Sequence, residues 1–125
     1  MLTQLLWVGL GGAIGSAARY AVSFAVTAQM GRAFPYGTLT VNVTGSFAIG
    51  ALYVVLSARP QAHELWRLLL VTGLLGGFTT FSAFSLETLQ LLGAGTIGRA
   101  LVNVVANVAL CLTGCWAGML FVRQL

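Results

Sequence analysis

The stretch Gly73-Leu-Leu-Gly76-Gly77-Phe78-Thr79-Thr80-Phe81-Ser82-Ala83-Phe84-Ser85 gathers most of the residues here that can do chemistry. Three glycines within five positions weaken a helix, and the hydroxyls that follow offer the backbone other partners. A helix broken at that point frees carbonyls able to hold a cation. The plainer reading is packing, because Gly73-x-x-x-Gly77 has the small-xxx-small spacing that lets helices touch. Phe78, Phe81 and Phe84 recur every three residues and share roughly one helix face, flanked by Ser82 and Ser85. Such a stripe is ordinarily core or lipid contact. Here it is mixed with hydroxyls, and aromatic ring edges are weakly positive. Ring edges and O–H donors together suit a small, hard anion.

Other polar residues sit inside apolar runs. Asn42 has Thr38, Thr40, Thr44 and Ser46 around it, and Asn103, Asn107 and Cys111 follow one another at i, i+4 and i+8. An amide has two N–H donors and can replace part of an ion's hydration shell. The same amides read equally well as hydrogen-bond glue between helices. Arg19 interrupts an otherwise uncharged run and either snorkels to an interface or lines an anion vestibule. Glu87, near the end of its run, either pairs with an arginine or terminates a pathway. Cys111 and Cys115 read as small buried apolar residues, and His63, beside Glu64, as solvated. The sequon Asn42-Val43-Thr44 lies in an apolar span and is accidental. No catalytic triad, carboxylate pair, Walker or zinc pattern is present, so the chain is not read as an enzyme.

The elements that must position these residues follow from composition. Only 6% of the 125 residues are charged, against about 25% in a soluble domain. Hydrophobic residues make up 58%, too many to hide inside so small a chain in water. Runs with few charges cover residues 2–30, 37–58, about 65–92 and 99–122. Each is long enough for the roughly 20 residues a membrane helix needs. The expectation is therefore a single all-α domain, residues 1–125, with four transmembrane helices. Pro35, Pro60, Gly93 and Gly98 mark the short connections. Met1-Leu-Thr-Gln offers no basic start for a signal peptide. As a straight helix the third run would reach about 42 Å. A bilayer core is about 30 Å thick, so that run must tilt or break.

The net charge of +4 comes largely from six scattered arginines, not the clustered basic face that nucleic acid requires. Four spans place Arg59, Arg67 and Arg123 on one side and Arg32 and Arg99 on the other. Three against two is a weak positive-inside bias. Either the protein simply has few charges, or it inserts in both orientations and pairs antiparallel.

Taken together, three segments resemble the Fluc (CrcB-type) fluoride channels: Gly12-Ala-Ile-Gly-Ser-Ala-Ala-Arg19-Tyr20, Gly37-Thr-Leu-Thr-Val-Asn42-Val-Thr-Gly45-Ser-Phe, and the glycine-to-Glu87 block of the third run. The resemblance covers nearly the whole chain, and the Gly-Gly-x-Thr-Thr-Phe-Ser-x-Phe-Ser block is its specific part. It implies an antiparallel, dual-topology homodimer in the plasma (inner) membrane of a bacterium, carrying fluoride passively out of the cell. It further implies that Phe81 and Phe84 form an aromatic box, Asn42 a pore amide and Arg19 a vestibule arginine. Thr80, Ser82, Thr40 and Glu87 would add polar lining. The carbonyls of Gly76 and Thr79 would hold a structural Na⁺ at the dimer centre. Many members place Tyr and then Ser where this chain has Asn103 and Asn107. Those two residues are therefore expected on the ion track only by position. Two rivals remain. A proton-coupled multidrug exporter needs a buried carboxylate, which the first span lacks. A purely structural membrane subunit would move nothing.

Overall fold

With so few charges to interrupt them, the apolar runs wind into long helices. A computed structural model describes residues 1–58 and 64–125; the helix stop expected at Pro60, together with Arg59 and His63, lies outside the described residues. Helix α1 spans Leu2–Met30 and α2 spans Tyr36–Ser57. The third crossing comes in two pieces. Its first piece, α3, joins Glu64–Trp66, Arg67–Leu75 and Gly76–Phe78. Its second, α4, spans Phe81–Gly93, and α5 follows as Ile97–Arg123. Four helical spans are long and apolar enough to cross a membrane, with the third taken as Glu64–Gly93. No strand occurs among the described residues. The turns after α1 and α4 use Gly31 (φ 82°) and Gly95 (φ 77°), the two among the described residues with left-handed backbone.

Glycine decides which helices touch. In lipid no hydrophobic force draws helices together, so close backbone approach and van der Waals contact must do so. A Cβ on Gly11 would strike the Leu69 carbonyl, and one on Gly15 the Leu74 carbonyl. From α3, Gly73 and Gly77 answer by lying against the backbone of Val8 and of Gly12. This seam holds α1 to α3. A second seam holds α2 to α5, its most extensive partner. There Gly50 lies on the Cys115 carbonyl and Gly118 on the Phe47 carbonyl, while Gly114 makes only looser contacts. Helix α4 also packs on α5, which places the break in the third crossing between the two seams.

Packing and a break in the third run were alternatives in the sequence, and the structure contains both. Gly73 and Gly77 pack against α1, and helical geometry fails just beyond them at Thr79 and Thr80. One feature is unannounced by the residues. Arg67–Leu75 is wound as a π-helix, with its hydrogen bonds reaching five residues instead of four. Leucine-rich sequence accepts either winding, so nothing in this stretch distinguishes it. The cysteines also differ from expectation. Cys111 and Cys115 are free and only half-buried, because the α2–α5 seam closes through Gly50 and not through their side chains.

Gly15→Ala is expected to lower the thermal stability of the purified protein, because the added methyl has a backbone carbonyl in its place. Gly9→Ala, which meets nothing within 4 Å, should leave stability equal or raise it by up to about 1 kcal/mol. Melting curves of the two variants in one detergent test the seam. Equal melting temperatures would remove Gly15 as a contact point.

Candidate functional site

Thr79 (φ −82°, ψ 159°) and Thr80 (φ −154°, ψ 114°) are extended, so the backbone groups around them lose their helical partners. In a bilayer such groups must be satisfied by protein or by a wet cavity. Asn42 on α2 satisfies two of them. Its Oδ1 accepts from the Thr80 N–H at 2.8 Å, and its Nδ2 donates to the Thr80 carbonyl at 3.1 Å. The amide thus pairs with Thr80 much as a neighbouring strand would. The Thr80 hydroxyl then starts α4 as its N-cap, accepting from the Ala83 N–H at 3.1 Å, with the Ser82 hydroxyl 3.2 Å away.

These bonds release two particular carbonyls. A continuous helix would direct the Thr80 N–H at the Gly76 carbonyl and the Ala83 N–H at the Thr79 carbonyl. Both donors are spent elsewhere, on Asn42 and on the Thr80 side chain. The Gly76 and Thr79 oxygens are therefore available as hard, uncharged ligands, the type that unwound transporter helices offer to Na⁺. They fit a monovalent cation. Among the described residues no cluster of His, Cys, Asp or Glu offers a site for a different metal.

The Asn42 amide continues into α5. Its Nδ2 also donates to Asn107 Oδ1 at 3.1 Å, and Asn107 Nδ2 donates to both the carbonyl and Oδ1 of Asn103 at 3.0 Å. All three amides are buried, Asn103 completely. Beside this string opens a cavity of about 430 Å³, lined in part by Asn42, Thr79, Thr80, Phe81, Phe84 and Asn107. The two phenylalanines lie 5.2 Å apart, centroid to centroid, with their planes at 59°. Phe84 is 7% exposed and Phe81 76% exposed. One ring is fixed in the fold and the other stands at its surface.

The expected site residues fall into two groups. Asn42, Thr80, Phe81, Phe84, Asn107, Gly76 and Thr79 share the cavity, and Ser82 reaches it through Thr80. Asn103 stands behind Asn107, without access to the cavity. Thr40 turns its hydroxyl back to the Tyr36 carbonyl of its own helix, at 2.8 Å. Arg19 is half-buried on α1, one turn past Gly15, and does not line the cavity. Among the described residues Glu87 takes a hydroxyl partner and no arginine: Thr38 Oγ1 donates to its Oε1 at 2.8 Å. Its Oε2 is buried without a hydrogen-bond partner among the described residues. Glu87 also borders a second cavity, of about 280 Å³, together with Arg32 and Gln90. Thr88 escaped sequence reasoning. It accepts from Asn103 Nδ2 at 2.9 Å, and its place one turn after Phe84 and two after Thr80 was the available signal.

Asn42→Leu keeps the branching of the side chain but leaves the Thr80 N–H and carbonyl buried and unpaired. At about 1–3 kcal/mol for each such group, the variant should be destabilised and the Thr80 amide should exchange its hydrogen faster. Hydrogen exchange resolved at the break checks this. Unchanged protection at Thr80 would show that the amide clasp does not hold the break.

Comparison with known proteins identifies the family of the chain. The family described as CrcB-like protein, Camphor Resistance (CrcB), matches residues 6–119. A relative from Geobacter sulfurreducens is 50% identical over 125 residues, covering 99% of this chain and 100% of the relative. One from Magnetococcus marinus is 48% identical over 120 residues, covering 96% of this chain and 98% of its own. One from Coxiella burnetii is 48% identical over 123 residues, covering 98% and 99%. Each of these relatives bears the name fluoride-specific ion channel FluC. With its four membrane-length spans and a family match over residues 6–119, the chain belongs to the CrcB family.

Proposed function

We propose that the protein is a fluoride-selective ion channel that lets fluoride leave the cytoplasm passively and so lowers its concentration and toxicity. The observation that carries this reading is the break itself, where an amide, hydroxyls and two phenylalanine rings meet at one cavity. Fluoride is small and strongly hydrated, so a pore must replace several water donors at once without a charge that traps the ion. Asn42 and Asn107 supply N–H groups, Thr80 and Ser82 supply hydroxyls, and Phe81 and Phe84 supply ring edges. None of these carries a full charge. Arg19 serves as a vestibule charge, and Thr40 and Glu87 as polar positions toward the pathway's end.

The working unit of this reading is an antiparallel homodimer of dual topology in the bacterial inner membrane. Its support is the exposure of Gly76 and Phe81 in the single chain. The Gly76 carbonyl has lost its helical donor, and an unpaired backbone group facing lipid is not tolerated, so this side of the break needs a cover, which a second copy supplies. The near balance of arginines on the two sides lets both orientations insert. A structural Na⁺ belongs to the same reading, held by the Gly76 and Thr79 carbonyls of both copies. When bound, it supplies a fixed positive field beside the pathway. The chain's own amides and hydroxyls do the solvating of the passing ion.

Liposomes holding the purified protein should release fluoride quickly and chloride not at all, as read by ion-selective electrodes. Phe81→Ile removes the ring edges; losing about 1.4 kcal/mol of interaction with the passing ion slows flux about tenfold. Wild-type flux in that variant would sink the aromatic box. Inert wild-type protein that is demonstrably folded would leave the structural-subunit reading in front.

Topology has its own test. In a background without Cys111 and Cys115, a single cysteine at Gln124 should react with impermeant reagents added from either side of the membrane. Labelling from one side alone would exclude the antiparallel pair.

A further inference from the structure

The string of amides does not end at Asn103. Asn103 Nδ2 donates to Thr88 Oγ1 at 2.9 Å, and Thr88 Oγ1 donates to the Phe84 carbonyl at 2.7 Å. The chain of bonds therefore starts at Thr80, the N-cap of α4, crosses to α2 and α5, and returns to α4 at Thr88, which passes it on to Phe84. Its direction is fixed from one end. Thr80 presents an N–H and a carbonyl, so Asn42 must set its oxygen against the first and its NH₂ against the second. The remaining Asn42 N–H then requires an acceptor, which obliges Asn107 to present Oδ1. The Asn107 NH₂ in turn requires Asn103 to present oxygens, and the Asn103 NH₂ is left facing Thr88. Thr88 must accept, so its only proton points away, to Phe84. A single hydroxyl terminates the whole sequence of choices.

We propose that Thr88 is a positioning residue for fluoride conduction, acting through Asn103 and Asn107 to hold the Asn42 amide oriented toward the break. This rests on the reading of Asn42 as a pore amide. Both Asn42 N–H groups are engaged at rest, one with Thr80 and one with Asn107. A fluoride ion at the amide takes the N–H that Asn107 holds, and the relay restores that bond once the ion has passed. Asn103, with no exposed surface, and Thr88, outside the cavity lining, touch no ion. They set the direction of the donor that does.

Thr88→Val keeps the shape but removes the acceptor for Asn103 and the donor for Phe84. It should lower fluoride efflux per folded channel about tenfold, while Thr88→Ser, which keeps the hydroxyl, should stay within about twofold of wild type. In an Asn42→Ser background, Thr88→Val should add little, because the amide it orients is gone. A structural role alone would cost the same factor in both backgrounds, and that outcome overturns the proposal. A second readout needs no flux. With ¹⁵N-asparagine labelling of the dimer, Thr88→Val should shift the side-chain NH₂ resonances of Asn42 and Asn107, not only that of Asn103. Shifts confined to Asn103 overturn the relay even if the channel reading stands. Inert wild-type protein with shifted Asn42 resonances would sink the channel reading and leave the relay in place.

Discussion

The organisation of this protein depends on one requirement: backbone N–H and carbonyl groups exposed inside a bilayer must find partners. Helix achieves this along most of the chain. At Thr79 and Thr80 it does not, and a side chain from another helix takes its place. The Asn42 amide carries one acceptor and two donors in a single rigid plane, and Thr80 uses one of each. No aliphatic residue could do the same, and a carboxylate would set an oxygen against the Thr80 carbonyl. The polar site and the irregular backbone are therefore one structure. What makes the break tolerable also places donors beside a cavity.

The same accounting explains why the glycines come first. Gly73 and Gly77 bring α3 against α1 closely enough that the first half of the third crossing is held on its own. Helix α4 needs no continuous backbone to stay in place, since it packs on α5 and is capped by the Thr80 hydroxyl. The two halves are supported by different neighbours, so helical bonds can be given up between them. Gly45 contributes at the join itself, because a Cβ there would collide with the Thr79 side chain. The seams of small residues thus do more than pack helices. They fix where the polar backbone can be exposed.

Much of this was legible in the residues. Low charge and long apolar runs require membrane helices whatever their packing. Glycine followed by hydroxyls marks a weak point in the third, and Asn42 stands out as an amide in an uncharged span. What could not be read was the pairing. Whether Asn42 meets Thr80, Thr79 or an amide of α5 depends on helix rotation and depth, which spacing within one helix does not determine. The hydrogen-bond partner of Glu87 depends on the same placement: of the two roles its charge suggested, an arginine partner or a pathway end, neither names Thr38, which the N-terminal turn of α2 presents to it. The π-helical winding of Arg67–Leu75 leaves no mark in composition. Thr88 was hidden differently, since a threonine bonding back to its own helix is ordinary until a buried amide also lands on it.

A pathway for a strongly hydrated anion faces two opposed demands. Donors must be numerous enough to replace water, yet none may hold the ion with the strength of a buried charge. Free amides do not meet the second demand well, because an unpaired buried N–H binds whatever acceptor arrives and is costly while it waits. Donors already engaged with weak neutral acceptors meet both. Each N–H of Asn42 is satisfied at rest by an oxygen of protein, so on the proposed reading an ion at this amide gains only the difference between itself and that oxygen. That difference is smaller than the bond to the ion alone. Entry and exit then involve exchange of hydrogen bonds, not their creation and loss. The low charge that first marked this chain as a membrane protein is also what this mode of solvation needs.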